Sequence, residues 1–517
     1  MSLHDQRLVL PDDEHNRQLV ANVHPANWVN PEPTGRYNIV VIGAGTAGLI
    51  TAVIAASLGA KVALIEKHLM GGDCLNVGCV PSKGMIRAAR AWSDLKKAGE
   101  FGLHIPPGVT YDFGAVMARM RKLRARISHN DSAHRYKSLG VDVLIGQAHF
   151  AGPDTIAVKG EAGNRSLSFV KAALCTGARA AAPPIPGLQE AGYLTNETVF
   201  SLTELPPRLG VIGAGPIGCE LAQAFARLGS QVTLIEAMHG ILPNEDREAA
   251  HLVQQQLVRD GVTLHCCGKD LTVSQADGEK RLTVESHGQH YAITVDDILV
   301  GAGRQPNVEG LGLEAAGVQY DKTGVIVNDR LQTTNPRIFA AGDICSRYKF
   351  THAADAMAQI VIQNALFPHP LGLGYAGVDS LVMPWCTFTE PEIAHVGLYE
   401  KDANAKGLEV ETYTFKLDEV DRAILDGDEE GFARVHIQKG TDKIVGATIV
   451  AAHAGDMINE FSVLMRAGLG AKSLAATIHP YPTQAEVSKK VINLWRKAHF
   501  TQRSKSLLVK LFAMLRR

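Results

Sequence analysis

The sequence predicts an α/β protein in which one structural unit occurs twice, ahead of a strand-rich α+β segment. Three observations carry that expectation. A buried-strand pattern over residues 38–42 runs into Gly43-Ala44-Gly45-Thr46-Ala47-Gly48, a helical run to Leu58 and a second strand ending in Glu66. The same order returns over 209–212, Gly213-Ala214-Gly215-Pro216-Ile217-Gly218, a helix through Leu228 and a strand ending in Glu236. In each copy the acid lies 23 residues after the first glycine, a spacing that chance does not readily repeat. From Met383 onward short strand runs dominate, with helices expected near 398–405 and 455–469.

Each repeat has all the parts of a Rossmann-like dinucleotide-binding domain. Glycines let the backbone approach a pyrophosphate, the following helix N-terminus faces its charge, and an acid at the end of the next strand accepts from a ribose hydroxyl. Two such sites in one chain imply electron transfer between two nucleotides, one of them a flavin.

Between the repeats lies Gly71-Gly72-Asp73-Cys74-Leu75-Asn76-Val77-Gly78-Cys79-Val80-Pro81-Ser82-Lys83. In a regular helix, residues five apart have Cα atoms roughly 8.7 Å apart and about 140° round the axis. A disulfide needs about 4.4–6.8 Å. If Cys74 and Cys79 pair, the segment must therefore be a distorted helix start, with Gly78 relieving the crowding, and a bridge over so short a loop is labile. A cysteine at a helix N-terminus also has a stabilised, reactive thiolate. The other reading of the two cysteines is a pair of small buried hydrophobes.

With 517 residues the chain is too long for one core. A formal net charge of −1 gives no reason to expect a nucleic-acid partner. The eight cysteines (Cys74, Cys79, Cys175, Cys219, Cys266, Cys267, Cys345, Cys386) have no disulfide-framework spacing. No signal-like apolar run and no spanning stretch is visible, so a cytoplasmic location is expected, where a close cysteine pair points to catalysis rather than to a staple.

Residues 1–36 are polar and proline-bearing and read as an extended arm. Residues 84–100, 114–138 and 351–366 carry helical periodicity, and 141–150 and 170–174 read as strands closing on Cys175-Thr176-Gly177. Pro183, Pro184, Pro186 and Gly187 mark a linker. The stretch from Leu299 through Gly303-Arg304 to Asn307 ends the second repeat, and a later strand closes on Ala341-Gly342-Asp343, an acid placed to receive a hydroxyl-rich chain. Residues 501–517 are basic and acid-free, with Leu507, Leu508, Leu511, Phe512 and Leu515 on one helical face. Such a tail suits peripheral contact with an anionic membrane surface, or docking on the protein itself or a partner subunit.

On these motifs, residues 37–500 resemble the flavin- and pyridine-nucleotide-dependent disulfide oxidoreductases (class I), and within them the mercuric-reductase-like branch. The resemblance implies two Rossmann-like domains plus a C-terminal α+β dimerisation domain: an arm (1–36), an FAD-binding domain (37–187 and 305–378), an NAD(P)-binding domain (188–304), a dimerisation domain (379–500) and the tail (501–517). It implies FAD held by Gly43, Gly45, Gly48, Glu66, Asp73, Lys83, Ala148, Gly177, Asp343 and Thr351, with Thr176, Gly303 and Gly342 as further cofactor-binding positions. It implies NADH or NADPH held by Gly213, Gly215, Gly218 and Glu236. Glu236 favours NADH, because a carboxylate repels a 2′-phosphate and no arginine follows closely. The redox-active disulfide would be Cys74–Cys79, with Cys79 beside the flavin and Cys74 attacking the acceptor. Lys83 would sit near the ring, paired with Glu220.

The resemblance further implies a homodimer in which His479, Tyr481 and Glu486 act from the partner subunit. The sequence departs from the family at two points. The disulfide-reducing relatives have a histidine base where this chain has Tyr481, with Glu486 and the preceding His479 retained. A tyrosine with an ordinary pKa near 10 does not take a thiol proton at neutral pH. Mercuric reductases are similar to this chain there, yet usually carry a C-terminal vicinal cysteine pair, and this tail has no cysteine. Cys266-Cys267 is vicinal but reads as core of the second repeat.

The expected acceptor is Hg(II) or another soft metal ion, transiently held by Cys74 and Cys79, with no structural metal. The alternatives are a dihydrolipoamide-dehydrogenase-type or other dithiol/disulfide reductase with His479 taking the proton, and a redox-linked membrane-surface protein using its tail.

Overall fold

A computed structural model describes residues 9–160, 163–276 and 278–516. Residues 1–8 of the arm and 517 of the tail lie outside them. The described chain forms two compact units, one within 9–238 and 260–381, the other within 239–259 and 382–516.

In the first unit the opening repeat builds a parallel sheet in the order Val141–Ile145, Val62–Glu66, Arg36–Ile42, Gly163–Leu174, with Ile338–Ala340 also parallel to Gly163–Leu174. An antiparallel hairpin, Gln147–Gly152 and Thr155–Gly160, extends the sheet's edge. Side chains alternate as a doubly covered sheet requires: Ile39, Val41, Val62 and Leu64 enter one apolar cluster, and Val40, Ile42, Ala63 and Ile65 the other. The second repeat gives a four-stranded parallel sheet, Thr263–His265, Gln231–Ile235, Arg208–Ile212 and Asp297–Val300, beside a three-stranded antiparallel one. The expected strand over 141–150 is two strands, because Gly146 breaks it at φ +159.

The second unit packs helices on a five-stranded antiparallel sheet (Pro384–Thr387, Glu392–Gly397, Val410–Lys416, Phe432–Gln438, Ile444–Ala451). Residues 239–259, placed by sequence with the second repeat, group with this unit. Buried Glu245 accepts from Trp385 Nε1 at 2.9 Å and from Tyr399 at 2.5 Å, and Asp246 pairs with Arg434 at 2.5 Å. Burial raises the Glu245 carboxyl above its ordinary range.

The expectation of an extended arm is corrected. Glu14–Val23 is a helix, capped by the Asp13 carboxylate accepting from Asn16 N at 2.8 Å. The helix lies against Phe113–Ser128. Buried Arg124 donates to Asn16 Oδ1 and to the Asn76 carbonyl, each at 2.6 Å, so the arm holds the cysteine segment through one guanidinium. Burial lowers the Arg124 pKa to about 10, still charged at neutral pH. The tail is a helix, Gln502–Leu515, with no buried residue in this chain. Among the described residues no helix is long and apolar enough to cross a membrane.

Arg124→Met leaves the Asn76 carbonyl and the Asn16 amide oxygen without their donor. The local opening free energy should fall by about 2 kcal/mol, or roughly 30-fold faster amide exchange over residues 72–80. Native-state hydrogen exchange measures it, and unchanged protection there refutes the clamp.

Candidate active site

The cysteine segment is bent by its glycines. Gly71 (φ +93) and Gly72 (φ +56) turn the chain into a short helix, Gly72–Asn76. The helix stops at Val77, and a new one, Cys79–Lys97, begins after Gly78. A Cβ on Gly78 would lie 2.7 Å from the Asp73 carbonyl oxygen, so only glycine fits this break. A Cβ on Gly72 would lie 2.7 Å from Gly45 Cα, and Gly71 N–H donates to the Ala44 carbonyl at 2.8 Å. The cysteine segment and the first glycine loop therefore share a wall.

Both cysteines are thiols here, Cys79 exposed and Cys74 half-buried. Cys79 opens its own helix, and Thr351, the first residue of the helix Thr351–Leu366, brings its Oγ1 to 3.4 Å from Cys79 Sγ. Two helix N-termini thus favour negative charge on this sulfur. Lys83, one turn along, pairs with buried Glu220 at 2.7 Å. The Cys79 pKa is lowered to about 6. A hydrogen bond from Cys74 contributes most, with Thr351 and Lys83 adding to it against the cost of partial desolvation by the surrounding protein. The same hydrogen bond, together with burial, pushes Cys74 well above the ordinary thiol range. At pH 7 the pair is one thiolate and one thiol.

The two glycine loops match in atomic detail. Glu66 accepts from Ala44 N at 2.7 Å and His68 N at 2.8 Å, while Glu236 accepts from Ala214 N at 2.7 Å and Met238 N at 2.8 Å. A Cβ on Gly48 or Gly218 would strike the carbonyl of Gly43 or Gly213 at 1.8 and 1.9 Å, which fixes the close helix–strand packing. A Cβ on Gly215 would meet nothing within 4 Å, and one on Gly45 only Gly72 Cα at 3.6 Å. These loops leave backbone room for a pyrophosphate, so the residues fit FAD and a nicotinamide dinucleotide.

Arg304 pairs with Asp73 and lies 3.2 Å from Asp343, tying the chain before Cys74 to the ends of two strands. Burial raises the Asp343 carboxyl. Thr176 and Gly177 exchange hydrogen bonds with Asn307, and Gly177 (φ +66), Gly303 (φ +124) and Gly342 (φ +82) all take the left-handed backbone that favours glycine. Ala148 is buried in the hairpin strand beside Glu66, where Gly146 N bonds to the Glu66 carbonyl at 2.8 Å.

In the second unit His479 sets Nε2 2.8 Å from Glu460, and Tyr481, largely exposed, donates to Asp421 at 2.8 Å. That bond raises the Tyr481 pKa. Glu486 opens the helix Glu486–Ala498. Sequence reasoning missed Asp131. Its carboxylate would lie 3.0 Å from a Cβ on Gly71, burial lifts its pKa to about 6, and its charge raises Cys74. No local motif marks it.

Residues 37–358 match the family described as pyridine nucleotide-disulphide oxidoreductase, and residues 383–492 match its dimerisation domain. The chain belongs to this family of FAD-dependent enzymes that use NAD(P)H. It is 36% identical over 462 residues to a mercuric reductase of Staphylococcus aureus, covering 89% of this chain and 82% of that one. A dihydrolipoyl dehydrogenase of Bacillus subtilis (strain 168) is 32% identical over 452 residues, covering 87% and 94%. Among solved structures, the Cu(II) complex of the HOCl-induced flavoprotein disulfide reductase RclA from Escherichia coli aligns with a TM-score of 0.78 at 29% identity, covering 89% of this chain and all of that one. LpdA from Mycobacterium tuberculosis aligns at 0.80 and 25% identity, covering 88% and 99%.

In the anaerobically reduced protein, alkylation of Cys79 by iodoacetamide should rise with pH through a midpoint near 6, because the thiolate is the nucleophile. Cys74→Ala removes the largest stabilising bond, so the midpoint should move up. Peptide mass spectrometry across a pH series reads both, and an unmoved midpoint refutes the coupling.

Proposed function

We propose that this flavoprotein disulfide oxidoreductase passes the electrons of NADH through the Cys74/Cys79 pair to a soft metal ion, Hg(II) above all. The net reaction is NADH + Hg(II) → NAD⁺ + H⁺ + Hg(0). The observation that carries the reading is Tyr481, with its hydroxyl donated to Asp421 and its pKa raised, where disulfide-reducing relatives have a base. Reduction of a disulfide substrate needs a group that exchanges thiol protons near neutral pH, and a soft metal ion needs only thiolates. His479, the proton carrier of the runner-up reading, is engaged by Glu460 within its own unit. The likeness to mercuric reductases agrees with this choice.

Gly43, Gly45, Gly48, Glu66, Asp73 and Asp343 would hold FAD, and Gly213, Gly215, Gly218 and Glu236 the nicotinamide dinucleotide. When bound, FAD supplies two-electron transfer between nicotinamide and the sulfur pair. Cys79 holds the negative charge beside two helix N-termini. Cys74, protonated at rest, loses its proton as it and Cys79 take the metal. Lys83, oriented by Glu220, keeps a positive charge on the same side. In a homodimer of the family's kind, Tyr481 of the partner subunit would face the metal. Glu236, fixed by two backbone amides, disfavours the 2′-phosphate of NADPH.

Two measurements test this reading. Hg(II)-dependent NADH oxidation with release of Hg(0) should exceed lipoamide or glutathione-disulfide turnover by tenfold or more, and the opposite order overturns the metal reading. NADH should give a higher kcat/KM than NADPH, and Glu236→Ala should narrow the gap. An NADPH preference in the unaltered protein refutes the role of Glu236.

A further inference from the structure

A second group of sulfurs lies away from the redox pair. The sequence reads Cys266-Cys267 as core, and the structure corrects this. The two residues follow the strand Thr263–His265 in a turn and are only half-buried. Opposite them, His287 is exposed at the tip of the hairpin formed by Glu279–Ser286 and Gln289–Val295. His287 (φ +52) and Gly288 (φ +77) make the two-residue turn, and Cys267 (φ +55) is also held in the left-handed region. One ligand atom from each of Cys266, Cys267 and His287 lies within 4.8 Å of the other two. Cys266 Sγ is 3.4 Å from His287 Nε2.

We propose that Cys266, Cys267 and His287 form a binding site for a soft, thiophilic d10 metal ion, distinct from the redox pair. The donor set decides the class: two thiolates and an imidazole select zinc-like or softer ions over Mg(II) and Ca(II), which take oxygen. The spacing agrees. Tetrahedral bonds of about 2.3 Å to sulfur and about 2.0–2.1 Å to nitrogen put the two donor atoms about 3.6 Å apart, close to the separation found. Binding breaks two S–H bonds, releases two protons to solvent and forms two metal–sulfur bonds and one metal–nitrogen bond, with no electron transferred.

The turn is held ready by its backbone. The Cys266 carbonyl accepts from Ser286 Oγ at 2.6 Å, Cys267 N donates to the Met238 carbonyl at 3.0 Å, and Gly268 N donates to the Glu236 carbonyl at 2.9 Å. The site thus adjoins the acid of the second glycine loop. It requires no particular acceptor at the redox pair, so it stands apart from the proposed function.

The test uses the FAD-loaded Cys74→Ser/Cys79→Ser protein, stripped with chelator and titrated with Cd(II), following the ultraviolet thiolate-to-metal absorption. One equivalent per chain is expected to bind. Adding Cys266→Ser/Cys267→Ser should abolish the absorption, and His287→Ala should weaken binding tenfold or more. No stoichiometric absorption, or one that persists without Cys266 and Cys267, overturns the proposal. Should a variant fail to fold, the unaltered protein answers. Cd(II) should shield Cys266 and Cys267 from alkylation, and shielding confined to Cys74 and Cys79 refutes the site.

Discussion

The backbone of Gly72 runs so close to Gly45 that a side chain on Gly72 would strike Gly45 Cα. This contact, closed by the Gly71–Ala44 hydrogen bond, joins the sulfur chemistry to the first nucleotide loop. The cysteine segment runs on from it. Once Gly72 is fixed, Asp73 meets Arg304, the short helix must end at Val77, and Gly78 must admit the Asp73 carbonyl. The second helix then starts at Cys79, which places that sulfur at a helix N-terminus.

Charge separation within the pair comes from this geometry and not from burial, since burial alone raises both thiols. What distinguishes them is which side of the kink each occupies. Both sulfurs receive the Thr351 hydroxyl, but Cys79 also receives a hydrogen bond from its neighbour and the field of Lys83, whereas Cys74 sits toward Asp131. The roles of resting nucleophile and protonated partner are thus set before any substrate arrives.

How much of this was legible depended on range. The glycine loops, their terminal acids and the helix over 351–366 were readable because each is a local pattern with a fixed spacing, and the structure places them so. The kink was readable because helix arithmetic forbids a five-residue bridge in a regular helix. The pairing of Lys83 with Glu220 came only from the family likeness, because 137 residues separate them. Asp131 and Arg124 could not be found, as both act through contacts made only when distant helices meet. The helix Glu14–Val23 does carry a local signal, Asp13 three residues before Asn16 at a capping spacing, but it lies among otherwise polar residues. The Cys266–Cys267 segment is not legible in the sequence, because vicinal cysteines after a strand look apolar until a hairpin about 20 residues on brings His287 to Cys266.

The clamp from Asn16 through Arg124 to Asn76 bears on how the chain matures. Its three members leave the ribosome far apart in time: the N-terminal helix first, the cysteine segment next, and the guanidinium that joins them about fifty residues later, which is several seconds at typical elongation rates. Until then the kink around Gly78 lacks this clamp. Oxidation or metal capture in that interval would meet a different chemistry from that of the finished site. Assembly of the reactive pair therefore begins with the arrival of Arg124 and ends only when Thr351, far later in the chain, brings its hydroxyl to Cys79.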